Sequence, residues 1–483
     1  MARPVLMRGA CAALLLAGCT ATVPDGQIVC SVASPECPEG FVCCPAAASG
    51  AYDGVCTTQA CGDAGPGDAG PSADAGFDAG VVDVPDAGFD AGFDAGPPPP
   101  PVPEEVAAGG SHTCLRLSDG RILCWGSNAS GQLGQGTEST APRTTPIAVM
   151  GIDGGALEVE ASAEATCARF ADRIRCWGSN AVAFSVGPIG SDVERSPIPL
   201  DVELAGTTPV QLVMGQYHAC AIMDAARTLE CWGHNGDGQL GVGTRRSEAI
   251  PVAVPMLAGV ADVCAGAQHT CAALADGTLY CWGNADKGQL GIGEPGTPTV
   301  RTSPTLVPLA DVVDVECGYF HTCAITDDGT TRQTWCWGEN RSGETAQDEL
   351  TNPVLEPTAF LDASGASVER IAIGGGTQFF SVTYGFTLVT GPTLPLRGFG
   401  NNSSGQLGLG GVGPTMTSTP MPVLEVEPAI LDVSAGAFHA CAIDEAAGVR
   451  RVLCWGDGGN GRLGNAAERS SDRPVAVFGY DGT

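Results

Sequence analysis

Cys124-Trp125-Gly126-Ser127-Asn128-Ala129-Ser130-Gly131-Gln132-Leu133-Gly134 is one copy of a pattern that recurs through most of this chain. Cys231-Trp232-Gly233 leads to Gly238-Gln239-Leu240-Gly241, and Cys281-Trp282-Gly283 leads to Gly288-Gln289-Leu290-Gly291. Weaker copies start at Cys176, Cys336 and Cys454, and one without its cysteine runs over 398–408. Upstream of the five copies at Cys124, Cys231, Cys281, Cys336 and Cys454 stands Gly-x-x-His-x-Cys, with histidines His112, His218, His269, His321 and His439. Glu164 and Gln378 are read as the equivalents in the two weaker repeats. Aligned on the first cysteine, the copies fall at Cys114, Cys167, Cys220, Cys271, Cys323, Phe380 and Cys441, in steps of 53, 53, 51, 52, 57 and 61 residues. Seven units at a near-constant period mean a repeat architecture.

Each unit contains a readable hairpin. His112 to Leu117 form one strand, Ser118-Asp119-Gly120 the turn, and Arg121 to Gly126 the return. This register sets Cys114 opposite Cys124, at the short end of disulfide reach. The sixth unit tests the pairing: Phe380 and Gly398 replace both cysteines together, as bonded partners would be lost and independent core residues would not. Six bridges are expected: Cys114–Cys124, Cys167–Cys176, Cys220–Cys231, Cys271–Cys281, Cys323–Cys336 and Cys441–Cys454. Cys264 and Cys317 are left over, on opposite faces of equivalent strands, and are expected as buried thiols, with a mutual bond as the less favoured alternative. One Trp per unit (Trp125, Trp177, Trp232, Trp282, Trp337, Trp455, with Phe399 standing in) is a core payload.

Gly-x-x-His followed by Trp-Gly-x-Asn-x-x-Gly-Gln-Leu-Gly at this spacing closely resembles the regulator of chromosome condensation repeat. The resemblance covers about four-fifths of the chain and implies an all-β, seven-bladed β-propeller of four-stranded blades over 104–483. The cysteines depart from the family pattern and look like staples for life outside the cytoplasm. Residues 104–108 are expected to complete the seventh blade, so that both ends of the repeat region meet in one sheet.

The 483 residues carry 22 cysteines and a net charge of −31. Regularly spaced cysteines in such number point to an oxidising compartment. Acidity repels phosphate backbones, so no nucleic-acid partner is expected. Residues 1–19 read as a lipoprotein-type signal peptide: Arg3 and Arg8, a short apolar core, then Leu16-Ala17-Gly18-Cys19, which resembles the bacterial lipobox with Cys19 as the lipid attachment site. A plain signal peptide is the alternative. Residues 20–61 hold Cys30, Cys37, Cys43, Cys44, Cys56 and Cys61, a small cysteine-rich module similar to knottin-type scaffolds; a core this small needs staples. Zinc is the competing reading there, weakened by the lack of any His. Residues 62–103, with eight Asp and no Lys or Arg, repeat Asp-Ala-Gly and end in prolines. They read as a disordered linker.

The repeated histidines are read as turn fasteners rather than metal ligands or catalytic bases, because the substitution by Gln378 retains hydrogen bonding and loses basicity. No phosphate loop, His-Glu-x-x-His or Gly-x-Ser-x-Gly elbow occurs. The expectation is a non-catalytic binding propeller without cofactor or metal. It would be monomeric, tethered at the outer membrane or cell surface by its lipid alone, and directed to an unidentified protein or glycan. Alternatives are guanine-nucleotide exchange, as in the eukaryotic family, and secreted enzyme inhibition. Binding is expected on the face bearing the long third-to-fourth strand loops (136–146, 185–197, 243–251, 293–304, 344–353 and 410–420), where the copies differ most.

Overall fold

The computed structural model describes residues 100–483, apart from 183–184, 187–192, 205–207, 225, 294–298, 349–350, 361–366, 379–381, 412 and 483, together with four short strands nearer the N-terminus. Those strands, Cys19–Ala21, Ile28–Cys30, Val42–Cys44 and Gly54–Thr57, form one antiparallel sheet within a unit that spans 1–94. Cys19 pairs in register with Cys30, and Cys43 with Cys56. The expected signal peptide up to residue 18, most of the expected linker and most of the expected cysteine-rich module lie outside the described residues.

From Pro103 onward the chain builds seven four-stranded antiparallel sheets. Each is an up-and-down blade made from one contiguous segment. Blade 1 is Pro103–Ala108, His112–Leu117, Ile122–Asn128 and Ser139–Ala148; blade 7 is Ile430–Ala435, His439–Ala446, Val449–Gly456 and Ser471–Ala476. Both Trp and Cys of the Cys-Trp-Gly run are buried because they point to opposite faces of the blade and each face packs on a neighbour: Trp177 lies in the core shared with blade 1, Cys176 in the core shared with blade 3. Gly126 has φ +108, and a Cβ there would lie 2.6 Å from the His112 Cα. The ladder to the fourth strand slips between Cys124 and Gly126, a β-bulge that recurs at this point in every blade.

The apolar cores lie between blades. In one, Trp177 packs with Ile122 and Leu133 of the preceding blade; in another, Trp125 packs with Ile443 and Val452 of blade 7. All six expected hairpin pairs are bonded, each with Cα atoms 4.1 Å apart.

Three expectations are corrected. Cys264 and Cys317 are not thiols but a disulfide, Cα–Cα 5.3 Å, joining the inner strands of blades 4 and 5. Their opposite orientations bring this about: on successive blades, one side chain looks forward and the other back, so they meet. Residues 104–108 do not complete the seventh blade. The inner strand of each blade precedes its own Gly-x-x-His turn, so this segment pairs with His112–Leu117 in blade 1, and blade 7 supplies all four of its own strands. Finally, in register with His112, which faces Gly126, stand Ala165 facing Gly178 and Phe386 facing Gly400, not Glu164 and Gln378. The sixth first-cysteine position is therefore Leu388, facing Gly398, not Phe380. Blade 6 carries a longer first turn. Its strands Arg370–Gln378 and Val382–Thr390 continue for five extra pairs, Gly374↔Phe386 to Gln378↔Val382, as a projecting hairpin.

Candidate binding face and axial channel

The repeated motif residues are spent on holding blade to blade. In the Gly-Gln-Leu-Gly turn of blade 1, Asn128 Oδ1 accepts from the Leu133 amide and Gln132 Oε1 from the Ser130 amide. The turn so pinned aims the Gln132 carbonyl at blade 2, where it accepts from Trp177 Nε1 (2.9 Å) and Thr166 Oγ1 (2.9 Å). His112 Nε2 meets the same Thr166 hydroxyl at 2.8 Å. Since the hydroxyl proton goes to the carbonyl, the imidazole must be the donor, which sets the Nε2–H tautomer. The clasp repeats at His218–Thr270, His269–Thr322, His321–Thr387 and His439–Thr113.

Blades 2 and 6 have Ala165 and Phe386 for the histidine, and the following blades have Ala219 and Ala440 for the threonine. Donor and acceptor are again lost together. Burial pushes His112, His218, His269 and His321 down to about 3 and His439 well down as well, so all stay neutral. These histidines are fasteners, as read from the sequence.

The ring closes through the same chemistry. His439 reaches Thr113, and the Arg462 carbonyl accepts from Thr113 Oγ1 and Trp125 Nε1 (both 2.9 Å). The Arg462 guanidinium donates to the Gly110 carbonyl (2.9 Å).

Inside the ring the inner strands leave one edge unpaired toward the axis, and side chains of the neighbouring blades cap it. Four residues before each first turn stands Glu105, Glu158, Gln211, Asp262, Asp314, Arg370 or Asp432, one per blade. Asp432 Oδ2 accepts from the Val106 amide (2.7 Å), Glu158 from Leu212 (2.9 Å) and Asp262 from Val315 (2.8 Å); Gln211 donates to Asp262 (2.8 Å). Arg116 and Arg169 hold Glu105 and Glu158 at 2.7 Å. Burial, reinforced by neighbouring carboxylates, drives Glu105 and Asp314 up to about 7, and burial raises Glu158, Asp262 and Asp432 against the hydrogen bonds and arginines that hold them down. Asp262 and Asp314 hydrogen-bond to each other, which requires a shared proton.

Two residues nearer the mouth the wall holds Ala107, Glu160, Val213, Cys264, Glu316, Ala372 and Ser434. Glu160 and Glu316 are raised well above the usual carboxylate range by burial and by the belt beneath. The belt escaped the sequence reading although its residues recur at the repeat period.

The first turns and the third-to-fourth strand loops share one face, as Ser127 donating to the Ser111 carbonyl shows. The channel opens there into a cavity of about 260 Å³ lined by the turn glycines together with Gln216, Tyr319 and Phe438. Half-buried Tyr217 packs edge-on to His234 and hydrogen-bonds to Tyr319, and Tyr319 packs edge-on to Phe320. Phe438 lies against Gly376 at the base of the blade 6 hairpin. Several of the variable loops are only partly within the described residues.

The RCC1-like domain model matches residues 185–480, and the regulator of chromosome condensation (RCC1) repeat matches 104–132 and 119–169. The chain belongs to the RCC1-like domain family. The ultraviolet-B receptor UVR8 of Arabidopsis thaliana is 27% identical over 388 residues, covering 78% of this chain and 82% of the receptor. Human HERC6, a probable E3 ubiquitin-protein ligase, is 29% identical over 252 residues, 50% of this chain but only 24% of the ligase. Among solved structures, Prp20p of Saccharomyces cerevisiae, described with its binding to Gsp1p and histones, superposes with TM-score 0.59 at 19% identity over 69% of this chain and 80% of its own. Human WBSCR16 gives 0.60 at 20% identity over 71% and 87%. These structural likenesses establish the seven-bladed fold.

Proposed function

We propose that this chain is a non-catalytic binding propeller, held at the cell envelope through Cys19 and a flexible stalk, that captures a protein or glycan partner with its first-turn face. The observation that carries the reading is the blade 6 hairpin, which departs from the repeat and rises beside an aromatic-walled channel mouth. Fold requirements explain the repeated histidines, tryptophans and glycines. They do not explain the extra hairpin, or Tyr217, Tyr319, Phe320 and Phe438 gathered half-exposed around one opening. Residues free of the fold's demands are where sites form. Protein binding is consistent with the family, in which Prp20p binds Gsp1p and histones. Seven disulfides among the described residues support an exported life, away from cytoplasmic GTPases.

The test is partner capture from envelope extracts. Shortening the blade 6 hairpin, or reversing charge in the loops at 243–251 and 410–420, should abolish capture with little change in melting temperature. Changes at Asp119-Gly120 and Asp276-Gly277, on the opposite face, should leave it intact. The reverse pattern would mean the wrong face has been chosen. Cys19→Ser should release the protein from the membrane fraction; unchanged partitioning would remove the lipid anchor from the reading.

A further inference from the structure

Resting on that choice of face, we infer that the channel mouth is a receptor site for a single cationic side chain, a Lys or Arg presented by an extended segment of a partner protein. The wall of the channel is graded. At the rim are glycines and the rings of Tyr319 and Phe438, whose faces attract a cation as well as apolar stem atoms. Two residues in, roughly 6.6 Å along a strand and within the length of an extended Lys or Arg side chain, are Glu160 of blade 2 and Glu316 of blade 5. Below them is the belt.

The belt carboxylates have occupations. Glu105 and Glu158 are held by arginines, Asp262 and Asp432 accept from amides, and Asp314 bonds to Asp262. Glu160 and Glu316 have no hydrogen bond or ion pair among the described residues, although each lines the channel half-buried and within the field of other carboxylates. An acid so placed is costly to ionise and gains nothing from the fold. A cation entering from the mouth relieves both the desolvation and the repulsion.

The surrounding wall favours an organic cation over a metal ion. The other members of that tier are Ala107, Val213, Ala372, the Cys264–Cys317 bridge and Ser434, whose hydroxyl already accepts from the Ala108 amide (3.0 Å). A hard divalent cation seeks six or more oxygens. Glu105, Glu158 and Glu160 do approach one another closely enough to share an ion, but two of the three are spoken for by guanidinium groups. With an aromatic rim, an acidic floor and a net charge of −31, the complementary partner is a basic one that is not a phosphate polymer.

Titration calorimetry on the full chain tests this, using an extended Gly/Ser peptide with one central Arg, its Lys and Gln counterparts, calcium chloride alone, and a neutral oligosaccharide. The Arg and Lys peptides should bind at least tenfold more tightly than the Gln peptide, with affinity falling as salt rises. Glu160→Gln combined with Glu316→Gln should remove the preference, and Tyr319→Ala should weaken binding several-fold. Asp119→Asn, on the far face, should change nothing. The Gln substitutions remove repelling charges and should melt at or above the parent temperature, so a lost preference would not reflect unfolding; Tyr319→Ala, at the rim, tests the same site independently. Equal binding of the Arg, Lys and Gln peptides, a preference that survives the double variant, or response to calcium or oligosaccharide alone would overturn the inference. If hairpin and loop changes abolish partner capture while basic peptides show no preference, the face stands and the cationic ligand falls. If the peptides bind as described while those changes leave capture intact, the opposite holds.

Discussion

At the scale of single residues, the repeat tolerates departures only when the partner changes with them, and Glu344 is an instructive exception. It occupies the Gln slot of the fifth turn, where Gln132, Gln239, Gln289 and Gln406 each accept from the amide two residues before; Glu344 accepts from Ser342 in the same way (2.6 Å). Burial drives its carboxyl up to about 8, so near neutrality it stays protonated and mimics the amide it replaces. An acid whose folded pKa is raised contributes stability that is present below its unfolded value and is lost as pH rises through the folded one. Glu344→Gln should therefore raise the melting temperature at pH 8 relative to the parent and leave it nearly unchanged at pH 4. A calorimetric pair at the two pH values checks this, and a pH-independent difference would refute the mimicry.

Among elements, the disulfides divide by what they join. The hairpin bridges close 9 to 13 residues inside one blade, whereas Cys264–Cys317 closes 53 and ties blade 4 to blade 5. On loop entropy, a hairpin bridge is worth about 2.7 kcal/mol and the inter-blade bridge about 4 kcal/mol. Replacing Cys264 and Cys317 by Ser should cost more in denaturant unfolding than replacing Cys114 and Cys124, and peptide mapping without reduction should recover Cys264 joined to Cys317. An equal or smaller cost would show that the two inner strands are already held together in the unfolded ensemble. The second-to-third strand hairpin of blade 6 is the complementary case: it has no bridge, and Leu388 and Gly398 stand where one would be.

For the whole molecule, two sets of buried groups oppose each other in their response to pH. The channel acids and Glu344 are raised, some to about 7 and 8, so the stability they contribute is lost as pH rises from the carboxylate range through those values. The five clasp histidines are lowered, four of them to about 3, so their contribution is complete above about 6.5 and is lost as pH falls toward 3. Between about 4.5 and 6.5 the two slopes offset each other. Thermal stability should show a plateau there and decline on both sides, most clearly from pH 6.5 to 8, where only the acids titrate. A melting temperature that climbs steadily from pH 6.5 to 8 would contradict the assignment of the belt as buried acids.

The sequence by itself determined the repeat, the blade count, the hairpin register and the six hairpin disulfides, because each of these is local: a period, a two-residue alternation, a turn of known length. Even the fastening role of the histidines was legible from what replaced them, although the replacements were placed one residue off in blade 2 and eight off in blade 6, where the lengthened turn hides the alignment. What only the tertiary structure decided is everything that depends on which blade faces which. Cys264 and Cys317 become a bond because successive inner strands turn opposite faces to each other. Ring closure runs through the carbonyl of Arg462 and the side chains of His439 and Asp432 rather than through a shared sheet, since each blade is complete in itself. The carboxylate belt, spaced 51 to 62 residues apart along the chain, becomes one site only when seven strands are drawn around a common axis. Charge that reads along the chain as a general acidity is concentrated there by geometry, where low solvation changes its chemistry.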